Sequence, residues 1–258
     1  MARTAGAGGV PRSSVWLRGG PRRGGRGGQP SGLDRERITG ATVRLLDAEG
    51  LDRFSMRRLA AELKVSAMSV YWYVDTKDDL LELALDAAFG ELRLPDPDAD
   101  GDWRGPLRAL AAEYRAHLVR HPWLSPLAGR YLNIGPHHMA FSHTVRRVVR
   151  RTGLPAHRVT GAIAAVFQFV YGYGTLEGRL LSRAEEGGTG PGAGPGAYGA
   201  PVARDEEREG PRTATGAAAP KAPGQPGEPT SPGEFRDRDF DFALDLLIAG
   251  IEAMVARG

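Results

Sequence analysis

The sequence predicts an all-α protein of 258 residues in two parts, a small N-terminal unit with a helix-turn-helix and a larger C-terminal helical part. Three observations lead to that reading. Apolar residues recur at helical spacing from Leu33 to Phe89 and again beyond Trp103. No stretch alternates with period two between turn residues, so strand signals are absent. Two short helical patterns follow a longer one and are separated by a turn of about three residues, the layout of a helix-turn-helix.

Order begins near Leu33. Asp34 is placed to cap a helix, and Leu33 and Ile38 hold the two positions of a hydrophobic staple. Ile38, Ala41, Thr42, Leu45 and Leu46 repeat at helical spacing up to Gly50, a C-terminal stop, which predicts a helix over 34–49. A second helix, Ser55 to Leu63, puts Leu59, Ala60 and Leu63 on one face and Arg57, Arg58 and Glu62 elsewhere. Ser66 is an N-cap for a third helix to about Tyr73, with Ser66, Val70 and Val74 facing inward. That leaves Ala67, Met68 and Tyr71 outward and Ser69, Trp72 and Tyr73 on the flanks. Thr76 and Asp79, close to a capping box, open a fourth helix that carries Leu80, Leu81, Leu83, Ala84, Leu85 and Phe89. Pro95 and Pro97 break it and set the boundary between the helix-turn-helix part, 33–94, and a second domain, 95–258.

Beyond Trp103 the pattern predicts helices over about 104–120, 137–152, 156–183 and 238–257, punctuated by Pro122, Pro126 and Pro136. Residues 187–234 hold 12 glycines and nine prolines, too little apolar area to offset ordering entropy, and read as a disordered insertion. Residues 1–32, with six arginines, ten glycines and no acid, read as a disordered basic arm.

The absence of cysteine excludes disulfides, thiolate metal sites and cysteine nucleophiles. There is no G-x-S-x-G, no P-loop and no zinc spacing, and His137, His138 and His143 read as solvated or helix-terminal; the expectation is no enzyme, no metal and no cofactor. The most apolar segment, "GAIAAVFQFVYGYG", is short and broken by glycine, so a soluble, cytoplasmic protein with no membrane partner is expected. The net charge of +3 and pI near 9.4 hint weakly at an anionic partner.

Residue chemistry on the third helix points to that partner. A tyrosine hydroxyl at Tyr71 can donate to a phosphate, and Ser69 and Lys77 can do the same. Arg57, near the start of the second helix and beside Arg58, can bond guanine O6 and N7 bidentately, whereas Ala67 and Met68 offer only apolar contact to a thymine methyl. Tyr73 sits at the edge, with at most a DNA-backbone contact, and Trp72 is expected mostly to pack.

The segment "LDRERITGATVRLLDAEGLDRFSMRRLAAELKVSAMSVYWYVDTKDDLLELALD" closely resembles the DNA-binding domain of tetracycline repressor (TetR) family regulators. The L-L-x-x-x-G helix end, the M-R-R-L-A-x-E-L second helix, the S-x-Y-W-Y third helix and the x-K-x-x-L-L fourth helix all agree, over about residues 33–90. A looser resemblance, to the branch that includes tetracycline repressor itself, runs through "HPWLSPLAGRYLNIGPHH", "VFQFVYGYGTLEGRLL" and "FALDLLIAGIEAM". The resemblance implies a homodimeric repressor on double-stranded, palindromic operator DNA, released by a small-molecule effector. By position it makes Arg57 a base contact, Ala67 and Met68 groove-facing, and Ser69, Tyr71 and Lys77 phosphate contacts.

Two departures stand in this domain: Lys64 where the turn usually has glycine, and Asp75 where a basic residue can face phosphate. In the branch, magnesium-bound drug is held by a histidine and a glutamate; Glu177 matches the glutamate, but Tyr131 replaces the histidine, and Ile134 and Gly135 replace a threonine and an arginine. A magnesium-tetracycline effector is therefore not expected. The candidate pocket residues are Tyr114, Trp123, Tyr131, Asn133, Phe141, Phe167, Gln168, Tyr171 and Glu177, a mostly apolar set with a few polar groups. Gly161, Gly172, Gly174 and Gly178 are expected to permit close packing. The alternative reading is an architectural DNA binder without effector, its groove-tracking charge supplied by the arm.

Overall fold

The computed structural model describes residues 14–18, 33–99, 101–185 and 232–257, and these form nine helices and no strand. They are α1 (Arg35–Arg53), α2 (Met56–Glu62), α3 (Ala67–Tyr71), α4 (Lys77–Phe89), α5 (Arg104–Arg120), α6 (Leu124–Ala128), α7 (Pro136–Arg150), α8 (Ala156–Glu185) and α9 (Pro232–Ala256). Most of the basic arm, 1–13 and 19–32, and most of the proposed insertion, 186–231, lie outside the described residues.

Side-chain caps start each of the first four helices. Asp34 accepts from the Arg37 amide at 2.7 Å, Ser55 from Arg58 at 3.3 Å, Ser66 from Ser69 at 3.1 Å and Thr76 from Asp79 at 3.0 Å. Each such cap satisfies one orphan N–H and contributes about 1 kcal/mol. Gly50 breaks α1 as expected, with φ 78° and ψ 170°, although the chain stays helical to Arg53 beyond it. Ile38, Leu46, Leu59, Val70 and Leu80, all buried, form the centre of the N-terminal unit.

α4 joins the two parts. It packs on α1 along one side and on α6 and α7 along the other, so it is buried nearly all round. At its end Phe89 enters the C-terminal core, 4.7 Å from the His138 ring and 5.7 Å from Phe141. The largest helix pairing is α5 against α8. Gly174 and Gly178 allow it, since a Cβ at either would stand 3.1 Å from Leu118 atoms; Gly161 and Gly172 have open space instead.

Four differences from the sequence reading have physical causes. α3 stops at Tyr71, two residues early, because Trp72 closes the turn as C-cap. α6 has five residues, too few to show a period, and was hidden among prolines. α9 starts at Pro232, inside the stretch read as disordered, and Arg236 ties its first turns to α8 through Glu177 at 3.2 Å and through its carbonyl, which accepts from the Tyr173 hydroxyl at 2.8 Å. An 18-residue window of α8, within Ala156–Arg183, reaches a mean hydropathy of 1.3, so by length and composition alone this helix could cross a bilayer, contrary to the expectation that its apolar segment is too short. Its glycines interrupt the apolar core of the segment without ending the helix.

Candidate nucleic-acid interface and ligand cavity

The turn between α2 and α3 is tied to α2 by Lys64 N–H donating to the Ala61 carbonyl at 3.1 Å and Val65 N–H to Ala60 at 2.9 Å. Lys64 adopts φ 56°, the left-handed conformation that glycine would take without steric cost. This tight turn sets α3 across α2 and turns Val70 and Val74 into the core. Ser66, read as inward, is exposed instead, because its hydroxyl serves as the N-cap and meets the Ser69 hydroxyl at 2.8 Å.

The outer surface of α3 is made by Met68, Tyr71 and Trp72, which are 69%, 43% and 60% exposed. Trp72 therefore does not pack on the domain. With α3 ending at Tyr71, it is Tyr73 that turns back: half-buried, it donates its hydroxyl to the Leu33 carbonyl at 2.6 Å, across the start of α1. Tyr73 thus anchors the domain from within. Ala67 is half-buried against the core, and Ser69 is half-buried beside Ser66.

The cations divide in the same way. Arg57 is exposed on α2. Arg58 is engaged by Glu49 of α1, whose carboxyl its hydrogen bond holds below the usual carboxylate range. Lys77 donates to the Phe54 carbonyl at 2.9 Å with its ammonium 5.3 Å from the Phe54 ring, so it fastens α4 to the α1–α2 corner. An ammonium has three donors, and two remain for other acceptors.

In the C-terminal part a cavity of about 500 Å³ opens between α5, α7 and α8. Tyr114, Phe141, Phe167, Gln168 and Tyr171, five of the nine sequence candidates, line it together with His138, Ser142, Val145, Arg146 and Ile163. Tyr114, Phe141 and Phe167 form its aromatic wall, with ring centroids 5.1 to 6.1 Å apart. Burial pushes the Tyr114 hydroxyl pKa up and that of His138 down, so both are neutral polar groups at neutral pH. Four of the missed lining residues were legible: His138, Ser142, Val145 and Arg146 repeat with Phe141 at one-face helical spacing on α7.

The other four candidates do not line it. Trp123 is buried at the junction of the two parts and donates to Asp47 of α1 at 2.6 Å. Tyr131 reaches Asp78 of α4 at 3.4 Å, and Asn133, at φ 49°, donates to the Ala128 carbonyl at 2.7 Å. Glu177 accepts both arms of Arg115, at 2.7 and 2.9 Å, and Arg236 at 3.2 Å. It borders a separate cavity of about 540 Å³. A carboxylate neutralised by two guanidinium groups, with Tyr131 turned to Asp78, does not fit the magnesium site of the tetracycline repressor branch. Among the described residues no cluster of His, Asp and Glu could hold a metal ion.

One link connects the cavity wall to α4. Asp86, buried on α4, accepts from the first amides of α7, His138 N–H at 2.9 Å and His137 N–H at 3.3 Å, and meets His137 Nδ1 at 3.0 Å. The side chain of one helix thus caps another. Gly135 makes room for it, because a Cβ there would overlap the Asp86 carboxyl group. A separate tie between the two parts is His121, at the end of α5, which stands 2.6 Å from Asp47 of α1 and 3.1 Å from Glu91, just past the end of α4.

Comparison with known proteins agrees with this arrangement. The family described as "Bacterial regulatory proteins, tetR family" matches residues 38–84, and "Tetracyclin repressor-like, C-terminal domain" matches 94–255. A Saccharopolyspora erythraea HTH-type transcriptional regulator is 41% identical over 157 residues, 61% of this chain and 66% of that protein. The HTH-type transcriptional repressor DrrR1 of Streptomyces coeruleorubidus is 38% identical over 169 residues, 66% of this chain and 62% of that protein. The matched regions therefore span just under two thirds of these relatives. The crystal structure of the Streptomyces coelicolor TetR family protein ActR in complex with actinorhodin aligns with a TM-score of 0.60 at 25% identity, covering 86% of this chain and 98% of that one. A helix-turn-helix with an exposed outer face, an α4 shared by both parts and a family match over most of the length converge: the chain belongs to the TetR family of helix-turn-helix transcriptional regulators, which are DNA-binding proteins and not enzymes.

Proposed function

We propose that the chain is a homodimeric, cytoplasmic repressor that binds a palindromic operator and leaves it when a small aromatic effector fills the cavity between α5, α7 and α8. One observation carries this reading: α7, a wall of the cavity, begins on the buried Asp86 of α4, the helix whose other end is fastened by Lys77 to the helix-turn-helix. An effector that shifts α7 acts on α4 directly, and differential affinity for two positions of α4 is what release requires.

The DNA contacts follow from exposure. Arg57 reads a base, Met68 and Ala67 meet the groove, and Tyr71 bonds phosphate, with Trp72 joining the apolar contact surface. Arg58, Ser69 and Lys77 act at the margin, since each already serves the domain. Tyr73 serves the fold.

The dimer is supported by apolar surface on α8 and α9. Phe242 and Leu246 are 65% and 59% exposed, and Leu176 and Met254 are exposed as well. A second copy would cover them and set two α3 helices one DNA turn apart, roughly 34 Å. For the effector, the aromatic wall with Gln168, Ser142 and Arg146 suits a flat aromatic compound bearing hydrogen-bond acceptors. ActR, which holds actinorhodin in its crystal structure, gives that choice a precedent within the fold.

A gel shift on the DNA upstream of the chain's own coding sequence tests the operator claim. Binding of a defined duplex, lost with Arg57→Ala, is expected; binding to any duplex, unaffected by Arg57→Ala, would contradict it. Thermal shift against a library of aromatic compounds tests the effector: a hit that raises the melting temperature and frees the DNA supports the reading, and binding without release favours an architectural role.

A further inference from the structure

Ser14–Arg18 lies outside both family matches, yet it is an ordered turn docked on α4. Ser14, itself buried, donates its hydroxyl to Glu82, and the Val15 amide donates to the same carboxylate at 3.0 Å. The Trp16 amide closes the turn on the Ser14 hydroxyl at 3.2 Å. Trp16 packs against the core at the edge of a cleft of about 740 Å³, whose other walls include Gly40 and Val43 of α1 and Leu83 and Ala87 of α4. Arg18 pairs with the buried Asp79 and lies 3.7 Å from Asp75.

We propose that Ser14–Arg18 is an intramolecular clamp that grips the acidic face of α4 and raises operator affinity by holding α4 in place and masking Asp75 and Asp79 beside the DNA-facing surface. The proposal rests on the operator-binding reading above. Two arguments carry it beyond simple packing. Asp79, Glu82 and Asp86 are spaced by three and four residues on α4, so they share one face; α7 holds the last of them and the clamp holds the first two. Both anchors of the pivot helix are therefore supplied by other parts of the chain. Asp75 is an exposed acid four residues past Tyr71, where it would repel the phosphate that Tyr71 is proposed to bond. Arg18 is the cation the structure sets against it.

The occupant of the α4 surface is thus a segment of this chain, chosen by charge and by paired donors for one carboxylate. A lone basic residue drawn to an acidic helix would give an ion pair of little consequence. Here a buried carboxylate, a backbone amide, a buried hydroxyl and an indole act together.

The test uses the full chain and a DNA duplex that it selects from a randomised pool. Arg18→Ala, Glu82→Ala and Trp16→Ala are compared with wild type by hydrogen–deuterium exchange over 77–89, by melting temperature and by operator affinity. Arg18 is partly exposed, so its variant keeps the fold. The expected result is exchange in α4 at least about fivefold faster in Glu82→Ala and Trp16→Ala, with DNA affinity about three- to tenfold weaker in Arg18→Ala and Glu82→Ala, and less than additive when combined. Unchanged exchange overturns the clamp. Faster exchange with unchanged affinity overturns its role in DNA binding. Weakening by Arg18→Ala without weakening by Glu82→Ala means that the arm touches DNA itself, and overturns it too. If wild type selects no duplex, the operator-binding reading fails, and the exchange data alone then decide whether the segment grips α4.

Discussion

His117 sits beside Phe89 and His121 with both ring nitrogens buried and unbonded among the described residues, and burial pushes its pKa down to about 3. Folded, it refuses a proton that the unfolded chain accepts near pH 6.5. Its contribution to stability is therefore complete above about pH 6.5 and is lost progressively as pH falls toward 3, at about 1.4 kcal/mol per pH unit. His117→Leu should flatten the fall of melting temperature over that interval relative to wild type; parallel curves would show that the imidazole is not the group responsible. Arg57 makes the second residue-scale prediction. If it reads a base, Arg57→Ala weakens the selected duplex by about 1–3 kcal/mol, roughly tenfold to hundredfold, and relaxes the preference at one base pair, as titration against a set of single-base variants would reveal.

At the scale of elements, the α2–α3 turn and the start of α7 carry local costs that substitution can expose. Lys64 at φ 56° is strained, and Lys64→Gly should stabilise the domain by about 0.5–1 kcal/mol once glycine's extra unfolded-state entropy is counted. A lower melting temperature in that variant would mean that the lysine side chain has a compensating contact. Asp86→Ala removes the acceptor for two amides of α7 and should cost about 1–2 kcal/mol, typical of a lost helix cap. Its more telling effect is on coupling: an effector that still binds the cavity should release DNA less well, measured as the ratio of operator affinities with and without that compound. Much of this level was legible beforehand. The caps at Asp34, Ser66 and Thr76 and the break at Gly50 follow from side-chain hydrogen bonding and backbone freedom within a few residues. The split of the aromatic triplet was not, because the hydroxyl of Tyr73 finds its partner at Leu33, forty residues away in sequence.

For the whole molecule, apolar surface on α8 and α9 and the shared α4 set the behaviour. Phe242→Glu with Leu246→Glu should convert a dimer into monomers in sedimentation velocity and weaken operator binding by a factor on the order of 100 or more, since each half-site is then held alone. A stable dimer in the double variant would move the interface elsewhere.

The sequence by itself determined the helical class, the helix-turn-helix with Val70 and Val74 inward, and five aromatic or polar residues that line the cavity. These depend on periods of three to four residues and on caps, which are local. Only the tertiary structure decided which candidates are free to act. Trp72 is exposed and Tyr73 committed, Lys77 fastens α4, Glu177 is neutralised by Arg115 and Arg236, and residues 14–18 close on α4. Each of those outcomes turns on a charge or hydrogen-bond partner brought from a distant part of the chain, and helical periodicity carries no record of such partners.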